Sequence, residues 1–179
     1  MKRLRPIEKY GAGLILVFFV FAHSTWAAVP ALYRTVAAEY GIPPLLLYAI
    51  ACVESATPLA DRTVKPWPWT LSINAAPYYY ATQAEALAAL HWARQRPVKQ
   101  LGIGLMQIEW RYHHRRLPDL ASALNPAFNL RTGAAILRTE YRNAGGDWDL
   151  AVKRYHSRTP HRQQGYVKRV NAVLRRLTR

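Results

Sequence analysis

The chain has 179 residues, of which 25 are Lys or Arg and 10 are Asp or Glu, so its formal net charge is +15. This length suffices for one domain with a hydrophobic core, and the basicity indicates a polyanionic partner such as a cell wall, an anionic lipid or a nucleic acid. The single cysteine, Cys52, excludes a disulfide within the chain. Because its neighbours are apolar, we expect Cys52 to be a small buried residue rather than a nucleophile.

The N-terminal segment has the layout of a secretory signal peptide. A basic start precedes an apolar run over residues 11–22, and Thr25 and Ala27 occupy the −3 and −1 positions of a cleavage site. The run is short for a bilayer span. We therefore expect residues 1–27 to be removed and residues 28–179 to act in the periplasm. The alternative is an uncleaved anchor in the inner membrane, which would be the only membrane contact.

After this leader, the sequence predicts mostly helix. A first amphipathic segment ends at Gly41, a C-terminal cap. Pro43-Pro44 opens the next helix, where proline is tolerated in the first turn, and Thr82 with Glu85 forms a capping box. The predicted helices, in chain order, cover residues 31–40, 43–55, 82–96, 125–143, 147–155 and 164–177.

Two stretches between these helices predict a small sheet. Residues 69–73 alternate in polarity, residues 74–77 are turn-like, and three tyrosines follow at 78–80, which together predict a short hairpin. Residues 98–108 contain two glycines and predict a short strand and turn beside the hairpin. The predicted fold class is α+β, mainly α, with a small antiparallel sheet inserted near the middle of one helical domain.

Glu54 is a carboxylate in line with the apolar stripe of the second helix. Leu47, Ile50 and Ala51 stand seven, four and three residues before it and share its face. A buried carboxylate is costly when ionised and tends to hold its proton, which suits a general acid at neutral pH. The alternative is a glutamate at a helix end that reaches water or caps a neighbouring amide. The position alone leaves both interpretations open.

Four motifs follow one another from this helix toward the C-terminus. They are Glu54-Ser55; Gly104-Leu105-Met106-Gln107-Ile108; Asn125-Pro126 with Asn129-Leu130 and Gly133-Ala134-Ala135-Ile136-Leu137; and Ala151-Val152-Lys153-Arg154-Tyr155. In this order they make the chain resemble the soluble lytic transglycosylase family (SLT domain), which has a lysozyme-like fold and cuts the glycan strands of peptidoglycan. The Trp- and Pro-rich stretch 66–71 resembles a subgroup associated with secretion and conjugation systems.

The resemblance implies a role for each matching residue. Glu54 would be the sole catalytic acid/base, with Ser55 beside it. Met106 and Gln107 would line the sugar-binding floor. Tyr155 would reach toward the glutamate and orient it. The resemblance implies no cofactor and no metal.

The chain departs from the family pattern in two places. Many members follow the tyrosine with Asn and then Gly, whereas here His156, Ser157 and Arg158 follow Tyr155. The segment between Ser55 and the second motif is also longer than in most members. The geometry of the loop after Tyr155 and the shape of the cleft wall therefore cannot be taken from the family.

The implied reaction uses one carboxylate. Glu54 would protonate the bond between N-acetylmuramic acid and N-acetylglucosamine, and then remove a proton from the muramyl 6-hydroxyl, which closes a 1,6-anhydro ring. A second carboxylate across the cleft would instead support a lysozyme-type hydrolase. Asp61 and Glu109 are the candidates for it, although our default for both is a surface role.

Aromatic side chains are candidates for sugar binding, and histidine side chains are candidates for metal binding. Aromatic rings can stack on sugar faces, and among the aromatic residues between 67 and 112 we expect Trp67 and Tyr79 to do so. The histidines show no His-Glu-x-x-His pattern and no paired cysteine, so the sequence predicts no metal site.

The sequence is compatible with three classes of function. The leading one is a lytic transglycosylase that remodels the wall locally for a secretion or conjugation apparatus, with a muramidase as its hydrolytic variant. The second is a catalytically inactive glycan-binding assembly protein, which the changed residues after Tyr155 favour. The third is a nucleic-acid-binding protein, suggested by the charge; the leader argues against it, and no nucleic acid partner is expected.

Overall fold

A computed structural model describes residues 29–58 and 64–179. The helices in this part of the chain are α1 (Ala31–Tyr40), α2 (Pro44–Ser55), α3 (Gln83–Arg94), α4 (Trp110–His113), α5 (Leu120–Leu124), α6 (Pro126–Asn143), α7 (Trp148–His156) and α8 (Pro160–Leu177), with a 3₁₀ turn over His114–Arg116. The strands are β1 (Ala56–Pro58), β2 (Val64–Pro66), β3 (Thr70–Ile73), β4 (Ala76–Tyr79), β5 (Leu101–Ile103) and β6 (Ile108–Glu109). The predicted fold class, α+β and mainly α, is confirmed. The predicted leader and Asp61 lie outside the described residues.

Four strands form an antiparallel sheet in the order β4-β3-β5-β6. The β3–β4 hairpin turns at Asn74 and Ala75, whose φ angles of 50° and 67° are both positive, as a tight two-residue hairpin turn requires. The hairpin and the neighbouring strand were predicted, but β4 begins at Ala76, inside the expected turn. A separate pair, β1 with β2, was not predicted, since each of these strands is only three residues long.

The helix ends follow the signals in the sequence. Gly41 adopts φ of 59° after α1. The Thr82 side chain accepts a hydrogen bond from the Glu85 backbone N–H at 3.2 Å, and Asn125 caps α6 in the same way through Phe128 N–H at 3.0 Å. The last helix begins four residues earlier than predicted, at Pro160, because proline is favoured at the first helical position.

Helix α2 occupies the centre of the core. Seven of its twelve residues are buried, and it packs against α1 and α8, while α6 packs against α7. Over residues 29–58 and 64–179, no single helix is long and apolar enough to cross a membrane, and α1 with α2 meet that test only as a pair bent by 116°. Helix α2, whose last turn carries Glu54, also packs against the β1–β2 pair.

Candidate active site

A cleft of about 510 Å³ runs between the sheet and the helices. One side consists of residues from β3, β5, β6 and α4, and the other consists of residues from α2, α7 and the start of α8. The lining includes Glu54, Ser72, Gly102, Gln107, Glu109, Tyr112, His113, Tyr155, His156, Arg158 and Arg162. Glu54 and Gln107 belong to two different motifs and stand 53 residues apart in the chain. They nevertheless line one cavity.

Glu54 lies partly buried in the last turn of α2. Its Oε1 accepts a hydrogen bond from the Tyr166 hydroxyl at 2.7 Å. Burial raises the pKa of the Glu54 carboxyl from 4.5 to about 7, against the opposing effects of the Tyr166 hydrogen bond and the nearby Arg169 charge. A carboxyl with this pKa can both donate and accept a proton near neutral pH, as general acid–base catalysis requires.

The tyrosine that holds Glu54 is Tyr166, not Tyr155 as expected. The Tyr155 hydroxyl lines the same cleft but donates to the Met106 backbone carbonyl at 2.8 Å. Burial and the Glu54 charge raise the pKa of both tyrosines well above their usual range, so both keep their hydroxyl proton. Tyr166 could have been found from the sequence, because a tyrosine four residues before Val170 lies on the buried stripe of α8.

His156 supports the Tyr166 ring. The two rings stack in parallel, with centroids 4.2 Å apart and an interplanar angle of 3°. His156 is one of the residues that depart from the family pattern after Tyr155. At this position the chain therefore places an aromatic ring against the tyrosine that contacts Glu54.

Ser55 anchors the end of α2 to the sheet side of the cleft. Its buried hydroxyl lies 2.9 Å from the Leu105 carbonyl and 3.1 Å from the Ala51 carbonyl. Ser55, which was predicted to lie beside Glu54, therefore fixes the end of α2 relative to the second motif. Its side chain is absent from the cleft lining.

Asn129, which belongs to the third motif, holds the loop between β5 and β6, a function that the sequence did not predict. Its fully buried amide accepts from Met106 N–H at 2.9 Å and donates to the carbonyls of Ile103 at 2.8 Å and Ala123 at 2.9 Å. Gly104, in the same loop, has φ of +74°, and a Cβ there would lie 2.5 Å from Asn129. The glycine therefore permits both the turn and the close approach of the amide.

Met106 does not line the sugar-binding floor as predicted. Its side chain is completely buried and fills the space over Gly133, where an added Cβ would lie 2.5 Å from the methionine. The apolar side chain packs into the core, so its contribution to the cleft is the backbone carbonyl that holds Tyr155.

Gln107 does line the cleft, with a side chain fixed by two hydrogen bonds. Its Nε2 donates to the carbonyls of Gly104 at 2.9 Å and Thr70 at 3.2 Å. A Cβ at Gly102 would lie 2.6 Å from its Oε1, so the glycine makes room for the amide. The floor of the cleft is therefore a preorganised amide rather than a mobile one.

Trp67 and Tyr79, the aromatic residues expected to bind sugar, are both absent from the cleft lining. The Trp67 indole N–H donates to the Tyr80 carbonyl at 2.8 Å, and the ring packs edge-on against Trp69. Tyr79 is 47% exposed, with its hydroxyl 3.3 Å from the Ala56 carbonyl. The exposed aromatic residue that does line the cleft is Tyr112.

Glu109 lines the cleft but serves as a cap. Its carboxylate accepts from the backbone N–H groups of Leu101, at 3.0 Å to Oε1 and 3.2 Å to Oε2, and of Arg111 at 3.3 Å. These bonds cap the start of α4 and hold the first residue of β5. The structure therefore gives Glu109 a structural function that occupies both oxygens.

No group of three His, Cys, Asp or Glu side chains comes together within residues 29–58 and 64–179 in a way that could hold a metal ion. His113 and His156 both line the cleft, and burial lowers the pKa of each.

Comparison with known families gives one match, to the transglycosylase SLT domain, over residues 32–172. Comparison with curated proteins and with solved structures gives no match. The matched range includes all four sequence motifs and Tyr166, and it covers most of the chain. The chain belongs to the transglycosylase SLT family, the lytic transglycosylases that act on peptidoglycan.

Proposed function

We propose that the protein cleaves the β-1,4 bond between N-acetylmuramic acid and N-acetylglucosamine without water and leaves a 1,6-anhydro-muramyl end. The observation that carries the proposal is the pairing of Glu54 with Tyr166 in a cleft whose other described glutamate, Glu109, binds backbone N–H groups. The Tyr166 hydroxyl donates to Glu54 at 2.7 Å, and the pKa of Glu54 is about 7.

The reaction proceeds in two proton transfers through the same carboxyl group. Protonated Glu54 gives its proton to the glycosidic oxygen, and the bond from that oxygen to the muramyl C1 breaks. The substrate's own acetamido oxygen shields the positive charge that develops at C1. The ionised Glu54 then takes the proton of the muramyl 6-hydroxyl, whose oxygen bonds to C1. Glu54 ends protonated, as it began.

Tyr166 supports both halves of this cycle. Its hydroxyl stabilises the ionised carboxylate by a charge-assisted hydrogen bond and fixes the orientation of the group. Because the burial of Glu54 opposes ionisation and Tyr166 favours it, the two effects together keep the pKa close to the working pH. The stacked His156 ring limits movement of the tyrosine.

The second candidate is a muramidase, and it is favoured by one observation, the presence of Glu109 in the cleft lining. A hydrolase needs a second carboxylate to activate water or form a covalent intermediate. Both Glu109 oxygens accept a backbone N–H group, which fixes the carboxylate in a capping position at the start of β5. We therefore favour the anhydro product.

Mass analysis of the products tests the proposal. The purified protein and a Glu54→Gln variant are incubated with isolated peptidoglycan in water enriched in heavy oxygen. The proposal predicts anhydro-muropeptides without heavy oxygen from the wild type and no release by the variant. Reducing ends that carry heavy oxygen would establish hydrolysis and overturn the proposal. Intact peptidoglycan with both proteins would favour an inactive glycan-binding protein.

We further propose that the protein is exported to the periplasm by residues 1–27 and opens the wall for a secretion or conjugation apparatus. The support is the signal-like leader and the Trp- and Pro-rich stretch 66–71. Fractionation of cells that produce the full chain tests the location. Periplasmic recovery of a shortened chain agrees with cleavage, recovery with the inner membrane points to an uncleaved anchor, and cytoplasmic recovery contradicts export.

A further inference from the structure

The helical wall of the cleft is strongly basic where α7 joins α8. Arg158 and Arg162 both line the cavity beside His156, and the only acidic side chains in the described lining are Glu54 and Glu109. Glu109 is occupied by backbone N–H groups. Within the described part of the chain, neither Glu54 nor Glu109 forms an ion pair with Arg158 or Arg162.

The two arginines differ in what holds them. Arg158 donates to the buried Glu140 at 2.6 Å, so its charge is compensated and its position is fixed. Arg162 is exposed and has no hydrogen bond or ion pair to any side chain in the described part of the protein. Burial of the His156 ring lowers its pKa most, and the nearby charges of Arg169 and Arg162 lower it further. Arg162 is thus a cation in the cleft that is available to a ligand.

Arg162 lines the same cleft as Glu54 and belongs to the helix that carries Tyr166. It stands in the first turn of α8, four residues before Tyr166, and residues with this spacing are neighbours on one helix face. Tyr166 contacts Glu54 directly. A group bound by Arg162 would therefore belong to a sugar unit at the cleavage point or next to it.

The glycan strand carries negative charge in one place only. Its hydroxyl and acetamido groups are neutral, and its anionic groups all sit on the lactyl arm of the muramyl residue. This arm ends in a free carboxylate when it is bare and carries a stem peptide with carboxylates when it is substituted. A planar guanidinium binds a carboxylate through two parallel hydrogen bonds, which gives direction as well as charge.

We infer that Arg162 is a specificity residue that binds a carboxylate on the lactyl-peptide arm of the muramyl unit next to Glu54. The inference rests on the proposed function, since it names the part of the peptidoglycan substrate that this wall recognises. Arg158, tied to Glu140, fixes the turn that presents Arg162. Glycans without a carboxylate then bind through Gln107 and the sheet side of the cleft alone.

Binding measurements on a non-cleaving background test the inference. The parent is Glu54→Gln, and the added changes are Arg162→Gln, Arg162→Lys and, as a control on the same helix far from the cleft, Arg175→Gln. The probes are a peptide-bearing glycan fragment, the same fragment stripped of its peptides, and a chitooligosaccharide without carboxylates. Dissociation constants are measured by calorimetry, and urea unfolding verifies that each variant is folded.

We expect Arg162→Gln to weaken binding of a carboxylate-bearing fragment about tenfold and to leave chitooligosaccharide binding unchanged. Arg162→Lys should recover part of the loss, and Arg175→Gln should match the parent. A loss with the peptide-bearing fragment identifies a stem-peptide carboxylate, and a loss only with the stripped fragment identifies the lactyl carboxylate. Equal binding by Arg162→Gln and the parent, or an equal loss with all three probes, would overturn the inference.

The failure of this inference is distinguishable from failure of the proposed function. Binding is measured on a variant that cannot transfer protons through Glu54, so it does not depend on which product the wild type forms. A wild type that releases reducing ends would refute the anhydro product and leave the Arg162 result standing. Suppose instead that the wild type forms anhydro-muropeptides and that Arg162→Gln binds the carboxylate-bearing fragments as tightly as the parent does. Only the role of Arg162 would then be refuted.

Discussion

Two glutamates line the same cleft in opposite surroundings. Glu54 sits at the end of a buried helix and receives one hydrogen bond, from the Tyr166 hydroxyl. Glu109 sits at the edge of the sheet and receives three contacts from two backbone N–H groups. The first environment leaves lone pairs free for a proton. In the second environment, the carboxylate caps the start of α4 and binds the backbone N–H of the first residue of β5.

The contrast shows that a place in the cleft does not decide the function of a carboxylate. Glu54 is paired with a side chain that can adapt to both of its protonation states, and its burial brings its pKa to about 7. Glu109 is paired with donors that favour only an acceptor. Substitutions that change one of the two environments at a time should therefore have very different effects on activity.

Replacing Glu54 removes the group that transfers both protons. We expect Glu54→Gln to reduce the rate of glycan release by about a thousandfold or more, with the fold retained, because the two side chains have nearly the same shape. Release of soluble muropeptides from isolated peptidoglycan measures the loss. Activity within tenfold of the wild type would show that Glu54 is not the acid.

The buried Glu54 carboxyl makes stability depend on pH. The unfolded chain ionises this group near pH 4.5, and the folded protein retains the proton to about pH 7. Its contribution to the free energy of unfolding is therefore complete below pH 4.5, declines as the pH rises toward 7, and falls by about 3 kcal/mol at most. Urea unfolding of the wild type and of Glu54→Gln between pH 4 and 8 measures the difference. A difference between the two proteins that stays constant over this range would contradict the raised pKa.

The two tyrosines provide a matched pair. Tyr166→Phe removes the donor to Glu54, and we expect about a tenfold loss of activity and a shift of the pH profile to higher pH, since the lost bond had lowered the pKa. Tyr155→Phe leaves the Met106 carbonyl without its donor and should cost about 1–3 kcal/mol of stability. The pH profile of each variant separates the two. A shift with Tyr155→Phe and none with Tyr166→Phe would reverse the assignment.

Glu109 should tolerate the loss of its charge. We expect Glu109→Gln to destabilise the protein by about 1 kcal/mol, because one oxygen still accepts a backbone N–H, and to keep activity within about threefold of the wild type. The same release assay used for Glu54 measures this. A loss of a hundredfold or more would identify Glu109 as a second catalytic carboxylate and support the muramidase.

The sequence predicted the six longer helices and the position of Glu54 because their signals are local, whereas the short helices α4 and α5 were not predicted. Apolar periodicity, caps such as Thr82, and the prolines that open α2 and α6 act over a few residues. The partner of Glu54 could not be predicted in the same way. Tyr155 and Tyr166 both lie near the cleft, and which hydroxyl reaches the carboxylate depends on how α7 and α8 pack against α2.

Burial of individual side chains was also hard to predict. Met106 and Gln107 are adjacent, yet the first packs over Gly133 and the second lines the cleft. The positive φ of 45° at Gln107 changes the direction of the chain there. A glutamine in the sequence does not predict this backbone conformation. Trp67 and Tyr79 were expected on sugar because aromatic rings suit both a core and a glycan, and only packing separates the two uses.

The most direct test of this account is a titration of Glu54 itself. Carbon NMR of the protein labelled at glutamate carboxyls, compared with the same spectra of Glu54→Gln, identifies the Glu54 signal and follows it with pH. We predict that the Glu54 carboxyl titrates with a midpoint near pH 7 and that this midpoint moves to higher pH in Tyr166→Phe. A midpoint near 4.5, unchanged in Tyr166→Phe, would show that Glu54 is an ordinary exposed carboxylate and would contradict its role as the catalytic acid.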